Sequence, residues 1–355
     1  MKTLLSERTI NRTIRTSLLI DQFWERWLVH GVDADDLSKV RPELISAEHW
    51  IDRWHSLAKE KKKHADFVKS EGLIAEAEYM YRLTGLYYNL VYWLFPTRTP
   101  EKEKWYKKCL EMFRIADCIS PVQTQYEWIE VDRHKCAGRI RIPDHSRGIM
   151  IIVNPIDSSK EELFTYESDF LKAGFTTVSF DGPGQGESYV LHGLQGTKKR
   201  WEEFMGQLID FASDLFPNKP IYLFGTSLGA SWALYGSCFA KIKKTVAVSP
   251  AVEFEKLNLP GYFLGRMECS CTLAPGHTPI PDFRELSYRS PTVVFHGKKD
   301  QMVTSADMYE LFNLLPAEKK LVEYEEEGHC CNNKLDEIRQ IAMQWVEAEN
   351  EWEGG

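Results

Sequence analysis

The chain has 355 residues, of which 43% are hydrophobic and 27% charged, and its formal net charge at pH 7 is −8. Its 11 Trp, 15 Tyr and 18 Phe supply enough apolar surface to exclude an intrinsically disordered chain. The acidic balance argues against a nucleic-acid-binding protein, which needs a basic face to neutralise phosphates.

The composition also bears on location and partners. No stretch approaches the roughly 18 apolar residues of a membrane span, and the N-terminal residues lack the apolar segment of a secretory signal. The 8 cysteines are too sparse for a disulfide scaffold and form no paired CxxC zinc pattern. We expect a cytoplasmic protein with free thiols, no cofactor, no metal, and no nucleic-acid or membrane partner. Its expected partner is a small-molecule substrate, and a homodimer stays open.

Residues 1–120 carry almost no strand pattern and predict amphipathic helices. One helix is predicted through Leu18, Phe23, Trp27 and Leu28, and a second after the capping residue Ser46. A third runs from about Ile74 to Phe95 and is dense in aromatic residues, and a fourth follows Pro100. We interpret residues 1–120 as a helical lid. Its aromatic side chains form either a helix–helix core or part of a substrate cavity, and the residues assigned to the cavity are Tyr87, Tyr88 and Tyr92.

Residues 121–355 have a different pattern, in which short apolar runs alternate with helical stretches. Two segments alternate like half-buried strands, and repeated strand–helix pairs follow. This order predicts an α/β fold with a mostly parallel sheet and helices on both faces. The predicted strands are 126–131, 138–142, 149–153, 176–180, 221–224, 245–248, 292–295 and 321–324, and helices are predicted near 159–173, 197–215, 228–240, 304–314 and 333–350.

A nucleophile motif lies between a predicted strand and a helix. Residues 221–224 lead directly into Gly225-Thr226-Ser227-Leu228-Gly229, which matches G-x-S-x-G. A side chain at either glycine would collide with the neighbouring strand or helix, so both positions must be small. The context favours Ser227 as a nucleophile over a structural turn.

A serine nucleophile needs a base, and the base needs an orienting acid. In this architecture the order along the chain is serine, acid, histidine. Asp300 follows a strand and a glycine turn, and His329 lies in a glycine-preceded loop before the last helix, so they are the predicted acid and base. The histidines interpreted as surface or packing residues are His30, His49, His55, His64 and His296.

The oxyanion hole requires two backbone N–H groups. One is expected from Leu228, directly after the nucleophile. The other is expected from the loop after residues 149–153, where Pro155 has no N–H and Ile156 is therefore the predicted donor. A further glycine-rich segment, residues 182–186, lacks the GxGxxG spacing and is interpreted as a tight loop at the rim of the active site.

Several segments together resemble the FrsA-like serine hydrolases of the α/β-hydrolase superfamily. They are the helical N-terminal region, residues 157–162 (DSSKEE), residues 181–187 (DGPGQGE), the G-x-S-x-G motif and residues 328–332 (GHCCN). The resemblance covers essentially the whole chain. That group includes hydrolases of nicotine breakdown and of fungal polyketide pigment synthesis.

The resemblance implies a triad of Ser227, Asp300 and His329, helices that cover the site, and cleavage of a C–C bond beside a ketone or of an ester in an aromatic or polyketide-like substrate. Such enzymes usually carry His-Gly-Gly where this chain has residues 153–155, so the loop loses its glycines. Asp157 occupies the group's acidic position, where it either contacts substrate or caps the following helix. A thioesterase, an acyltransferase and a non-catalytic binding protein on a hydrolase scaffold are the alternatives.

Overall fold

The computed structural model describes residues 2–254, 258–274 and 277–348. The N-terminal part is entirely helical, as predicted. Its helices are α1 (Lys2–Leu19), α2 (Gln22–Val29), α3 (Ala34–Val40), α4 (Ala47–Ser70), α5 (Ile74–Leu94) and α6 (Pro100–Ile119). The predicted caps are confirmed at Ser46, whose hydroxyl accepts from the His49 N–H, and α6 begins at Pro100 as expected.

One helix prediction in this part was wrong. The single helix expected through Leu18 and Leu28 is broken at Ile20 and Asp21 into α1 and α2. The side chains of Trp24 and Arg41 donate to the carbonyl of Ser17 at 2.7 and 3.1 Å, which occupies an acceptor at the end of α1. The apolar spacing continued across the break because both helices bury apolar residues in one core, Ile14 from α1 and Phe23, Trp24 and Trp27 from α2.

The remaining chain forms one eight-stranded sheet. Its order is β1-β2-β4-β3-β5-β6-β7-β8, with β1–β2 and β2–β4 antiparallel and all other neighbours parallel. The α/β-hydrolase prediction of a mostly parallel sheet preceded by antiparallel strands is therefore confirmed. The strands are β1 (Gln123–Val131), β2 (His134–Ile142), β3 (Gly148–Val153), β4 (Phe175–Phe180), β5 (Ile221–Thr226), β6 (Ile242–Val248), β7 (Thr292–Gly297) and β8 (Lys319–Tyr324).

Helices cover both faces of the sheet. They are α7 (Phe164–Lys172), α8 (Gly186–Val190), α9 (Lys198–Leu215), α10 (Leu228–Gly236), α11 (Gly261–Ser270), α12 (Ser305–Leu314) and α13 (Leu335–Glu347). The sequence pattern did not predict α3, α8 or α11, and each of these helices has 10 residues or fewer. Conversely, residues 159–163, predicted as helix, form turns, and α7 begins only at Phe164.

Two apolar cores lie on opposite faces of the sheet, and a third joins the N-terminal helices. The helical core contains a cluster of tryptophans from α2 and α4, in which Trp24 stacks on Trp50 with ring centroids 5.6 Å apart. Among the described residues, no helix has the length and apolar character that crossing a bilayer requires. All eight cysteines are free thiols.

Candidate active site

Ser227 stands at the sharp turn between β5 and α10. Its backbone lies at φ 55° and ψ −123°, a strained conformation for a non-glycine residue, and its N–H donates to the Val248 carbonyl at 2.9 Å. The flanking glycines leave no room for a side chain. A Cβ atom on Gly225 would lie 2.2 Å from the carbonyl oxygen of Gly229. The turn therefore holds the serine hydroxyl at the carboxyl end of the sheet, as the motif requires.

The structure brings Ser227, His329 and Asp300 together. His329 Nε2 lies 2.8 Å from Ser227 Oγ, and His329 Nδ1 lies 2.7 Å from Asp300 Oδ2. The other carboxylate oxygen of Asp300 accepts from the backbone N–H groups of Met302 and Val303. Because a carboxylate is only an acceptor, Nδ1 carries the proton and neutral His329 presents the Nε2 lone pair to the serine hydroxyl.

Electrostatics in this group favour the imidazolium. Burial works against a charged His329, but the charge of Asp300 and its hydrogen bond outweigh burial, so the pKa of His329 lies well above 6.5. Burial likewise disfavours the Asp300 carboxylate, and the same pairing lowers its pKa below 3.8. The pair is arranged to stabilise the positive charge that a general base acquires when it takes a proton.

The loop between β3 and α7 faces the nucleophile turn. The N–H groups of Ile156 and Leu228 have no hydrogen-bond acceptor among the residues the structure describes. Ile156 and Leu228 line the same cavity as Ser227. Both expected donors thus lie beside the serine with their N–H groups unpaired, which is the arrangement that binding a developing oxyanion requires.

The same loop makes several contacts with the N-terminal helices. Arg26 of α2 donates from Nη2 to the carbonyl of Asp157 at 3.0 Å and pairs with both oxygens of Glu162 at 2.6 and 2.9 Å. His30, the residue that directly follows α2, contacts Glu162 through Nδ1 at 2.8 Å. Burial acts to raise the pKa of Glu162, but the charge of Arg26 and the hydrogen bonds from His30 and Arg26 outweigh it and lower the pKa to about 2, so the carboxylate is ionised.

The sequence analysis missed Arg26 and Glu162 and took His30 for a surface or packing residue. His30 is buried, and both it and Arg26 line the larger cavity beside Ser227. Their i, i+4 spacing on α2 was the available signal, because it places both side chains on one helix face. Glu162 stood in a predicted helix, where a glutamate is normally solvated. His296 is buried, with Nε2 3.1 Å from the Ser305 hydroxyl, in keeping with a packing role.

Two cavities meet at Ser227 and His329. The smaller is walled by aliphatic side chains, among them Ile156, Val252, Met267, Ile280 and Val303. The larger has a volume of about 770 Å³ and is walled by six aromatic residues together with Arg26 and other polar groups. The aromatic residues of this wall are Phe23, Trp27, Trp93, Tyr166, Tyr262 and Phe263. Helices α1, α2 and α5 therefore border the site, as expected of the N-terminal region.

The tyrosines expected to bind substrate are absent from both cavity walls. Tyr87 donates to Asp36 at 2.5 Å, Tyr88 stacks on Trp105 with centroids 6.1 Å apart, and Tyr92 packs on Tyr106 at 4.7 Å. That expectation was wrong because nearly every residue of α5 from Tyr81 onwards is buried, so these side chains face α3, α4 and α6. Trp93 is the residue of this helix that reaches the cavity.

Asp157 does not cap a helix, since α7 begins seven residues later at Phe164. Its side chain is absent from the walls of the two cavities at Ser227. Instead its carboxylate lies 3.9 Å from Arg266 Nη1. Burial raises the pKa of Asp157 despite the nearby cations. The residue adopts φ 61°, a left-handed conformation that turns the chain and points its carbonyl toward Arg26.

The glycine-rich loop after β4 was expected at the rim of the site and without a following helix. It is buried behind the loop that carries Ile156, and α8 begins at Gly186. Asp181 at its start accepts from the backbone N–H groups of Lys160 and Glu187 and from Lys160 Nζ. These hydrogen bonds attach the glycine-rich loop to the segment between β3 and α7, which carries Ile156.

Among the described residues, no group of three or more His, Cys, Asp or Glu side chains is arranged to hold a metal ion.

Residues 144–270 match the family model described as serine aminopeptidase, S33. Over 332 residues the chain is 26% identical to 2,6-dihydropseudooxynicotine hydrolase of Paenarthrobacter nicotinovorans, covering 87% of each chain. It is 25% identical over 271 residues to the α/β hydrolase ucsC of an Acremonium species, covering 66% of this chain and 54% of that one.

Solved structures give the same result for the fold. The crystal structure of 2,6-dihydroxy-pseudo-oxynicotine hydrolase superposes with a TM-score of 0.75 at 22% identity, covering 91% of this chain and 94% of the other. The match extends over the N-terminal helices as well as the sheet. The chain thus has the α/β-hydrolase fold; it is similar over most of its length to 2,6-dihydropseudooxynicotine hydrolase and over about two thirds of its length to the fungal α/β hydrolase ucsC.

Proposed function

We propose that the chain is a serine hydrolase that forms an acyl-enzyme on Ser227. The observation that carries the proposal is the continuous pair of hydrogen bonds from Ser227 Oγ through His329 to Asp300, at 2.8 and 2.7 Å. Neutral His329 takes the serine proton as Oγ attacks a substrate carbonyl carbon. The N–H groups of Ile156 and Leu228 bind the oxygen that becomes negative.

Collapse of the tetrahedral intermediate then breaks the bond from the carbonyl carbon to the leaving group. The leaving group departs as an alcohol oxygen or as a carbon stabilised by a neighbouring ketone, and it takes the proton from the His329 imidazolium. Water attacks the acyl-enzyme in a second cycle with the same base and oxyanion donors. The products are a carboxylic acid and either an alcohol or a ketone.

For the substrate we propose an aromatic or polyketide-like ketone or ester. The supporting features are the six aromatic residues of the larger cavity and the aliphatic wall of the smaller one, which suit an extended, largely apolar molecule with its carbonyl at the junction. The similarity to 2,6-dihydropseudooxynicotine hydrolase, covering 87% of each chain, supports the same class.

The test combines active-site labelling with a substrate screen. A fluorophosphonate should label the wild type at Ser227 and leave Ser227→Ala unlabelled. Aryl ketones, β-diketones and aryl esters are then incubated with both proteins, and the product masses are read. Loss of product in Ser227→Ala, with unchanged melting temperature, supports the proposal. An unlabelled wild-type protein without turnover would instead favour a non-catalytic binding protein.

The same screen separates the neighbouring activities. Acid plus ketone from a β-diketone indicates C–C cleavage, and acid plus alcohol indicates an esterase. Turnover of acyl thioesters alone would indicate a thioesterase. Adding a thiol or amine tests for acyl transfer, since the acyl-enzyme would then partition between water and the added nucleophile.

A further inference from the structure

Gln185 lies in the glycine-rich loop behind the site and is not in the wall of either cavity beside Ser227. Its side chain is 1% exposed. Gln185 Nε2 donates to two consecutive backbone carbonyls, those of Asn154 at 2.9 Å and Pro155 at 2.8 Å. Its Oε1 accepts from the N–H of Gly182 at 2.9 Å, which fixes the orientation of the amide. A buried amide so completely paired acts as a rigid brace.

The position of this brace relates directly to the oxyanion donor. The carbonyl of Pro155 and the N–H of Ile156 belong to one peptide unit. No peptide bond in the described structure is cis, so this carbonyl and this N–H point in opposite directions. Any group that holds the Pro155 carbonyl therefore also directs the Ile156 N–H, which points away from that group; Ile156 itself lines the cavity beside Ser227.

A second hydrogen bond acts on the same carbonyl. The hydroxyl of Ser158 donates to it at 2.6 Å, so the Pro155 oxygen has both of its lone pairs engaged. The loop contains no glycine between Val153 and Leu163, and Pro155 itself has a fixed φ. The orientation of the peptide is thus set by two side chains and one proline.

We propose that Gln185 is a positioning residue for catalysis, which orients the Ile156 N–H toward the oxyanion. The inference rests on the proposed serine hydrolase function. It assigns a role to the glutamine of residues 181–187, a segment otherwise explained only by its tight packing. Without the amide, the Ser158 hydroxyl is the one remaining side-chain donor to the Pro155 carbonyl. The 155–156 peptide is then held less firmly, and the Ile156 N–H stabilises the transition state less while substrate binding is unaffected.

The decisive variant is Gln185→Met, which keeps the length of the side chain and removes both donors. Complete removal of one oxyanion donor typically lowers kcat by about 10²–10³-fold. A donor that is present but less well oriented should lower kcat by a smaller factor. We expect kcat to fall by about 10–100-fold and KM to change by less than about threefold. The affinity for an aryl boronic acid, which forms a tetrahedral adduct on serine, should fall by the same factor as kcat/KM.

Ser188→Ala is the matched control. The Ser188 hydroxyl is equally buried, belongs to the following helix α8 and donates to the carbonyl of Asp181 at 2.6 Å, and it makes no hydrogen bond to the described 154–156 backbone. Its melting temperature should fall to a comparable extent while kcat stays within about twofold of wild type. This control separates loss of a buried hydrogen bond from loss of the peptide's orientation.

If Gln185→Met does not fold, Gln185→Leu decides the question. Leucine removes the donor to both carbonyls and places neither a charge nor a titratable group in this buried position. Wild-type kcat in the folded variant, or a rise in KM without a loss of kcat, would overturn the proposal. Labelling and turnover of the wild type are measured alongside, so failure of the hydrolase function is recognised separately.

Discussion

Gly229 passes so close to Val153 that a Cβ atom on the glycine would lie 2.0 Å from the Val153 carbonyl oxygen. The start of α10 and the end of β3 therefore pack backbone against backbone, directly beneath the nucleophile. This contact joins the two segments that carry the expected oxyanion donors. Because Gly229 has no Cβ atom, the segments that carry Leu228 and Ile156 can lie this close together.

Gly229→Ala should accordingly damage both stability and activity. Overpacking a tight core costs about 1–3 kcal/mol, and a clash with backbone belongs at the upper end, because backbone cannot rotate away. We expect a lower free energy of unfolding in urea and a loss of turnover in the protein that remains folded. Gly206→Ala is the control, since a Cβ there meets nothing within 4 Å. A fully active, stable Gly229→Ala would show that the two segments can move apart.

The acid limb of the pH–rate profile should lie above pH 6.5. Only neutral His329 can accept the serine proton, and Asp300 raises the pKa of His329 well above 6.5. Turnover therefore rises as pH increases through that raised pKa. In Asp300→Asn the stabilising charge is gone, so the His329 pKa should move down while kcat falls by about 10⁴-fold.

Titration of the His329 ring by NMR in the wild type and in Asp300→Asn measures the shift independently of the rate. The inert Ser227→Ala background avoids turnover during the titration. A profile that is flat between pH 5 and 8 would contradict the role of His329 as base.

Tyr87→Ala should lower stability and leave the chemistry of the folded enzyme unchanged. The ring packs against Trp54 with centroids 5.2 Å apart, and the hydroxyl donates to Asp36. Truncation of a buried aromatic residue costs about 3–5 kcal/mol. Thermal unfolding and steady-state kinetics on the same sample check both halves. A selective rise in KM with an unchanged melting temperature would instead indicate that Tyr87 binds the substrate.

Phe263 is an aromatic residue that lines both cavities. Phe263→Ala should enlarge both and remove about 1.5–3 kcal/mol of apolar contact. We expect KM for aryl substrates to rise by tenfold or more and bulkier acyl groups to be accepted. Phe239→Ala, which removes a ring packed edge-to-face against Tyr235 and absent from both cavity walls, serves as the comparison. Equal effects of the two variants on KM would rule out Phe263 as a specificity residue.

The α/β half of the fold was predictable because each buried strand is a short apolar run ending in a recognisable turn. Ser227, Asp300 and His329 follow such strands, and the structure brings them within hydrogen-bonding distance. The spacing of apolar residues does not reveal which element packs against a buried helix face. It correctly marked α5 as apolar, but only the packing of α3, α4 and α6 decides that Tyr87 and Tyr92 face away from the cavity.

Residues 158–162 were unpredictable for a different reason. Two serines, a lysine and two glutamates normally indicate a solvated helix start, yet all five side chains are buried here. Lys160 pairs with Asp181 and Glu187, and Glu162 pairs with Arg26. Buried charges need such partners, and the partners come from positions far along the chain, so no local pattern reveals them.

The contacts of this segment bear on how the enzyme can be recombined with its relatives. Arg26, Asn89 and Tyr106, from three different helices, hold Glu162, Ser159 and Glu161 respectively. A chimera that takes residues 2–119 from another hydrolase would leave the buried Glu162 carboxylate without Arg26 and His30, and Glu161 without the Tyr106 hydroxyl, unless the donor chain supplies equivalent side chains. Recombination sites for directed evolution therefore belong in exposed loops elsewhere in the molecule, with residues 26, 89, 106 and 159–162 inherited from the same parent.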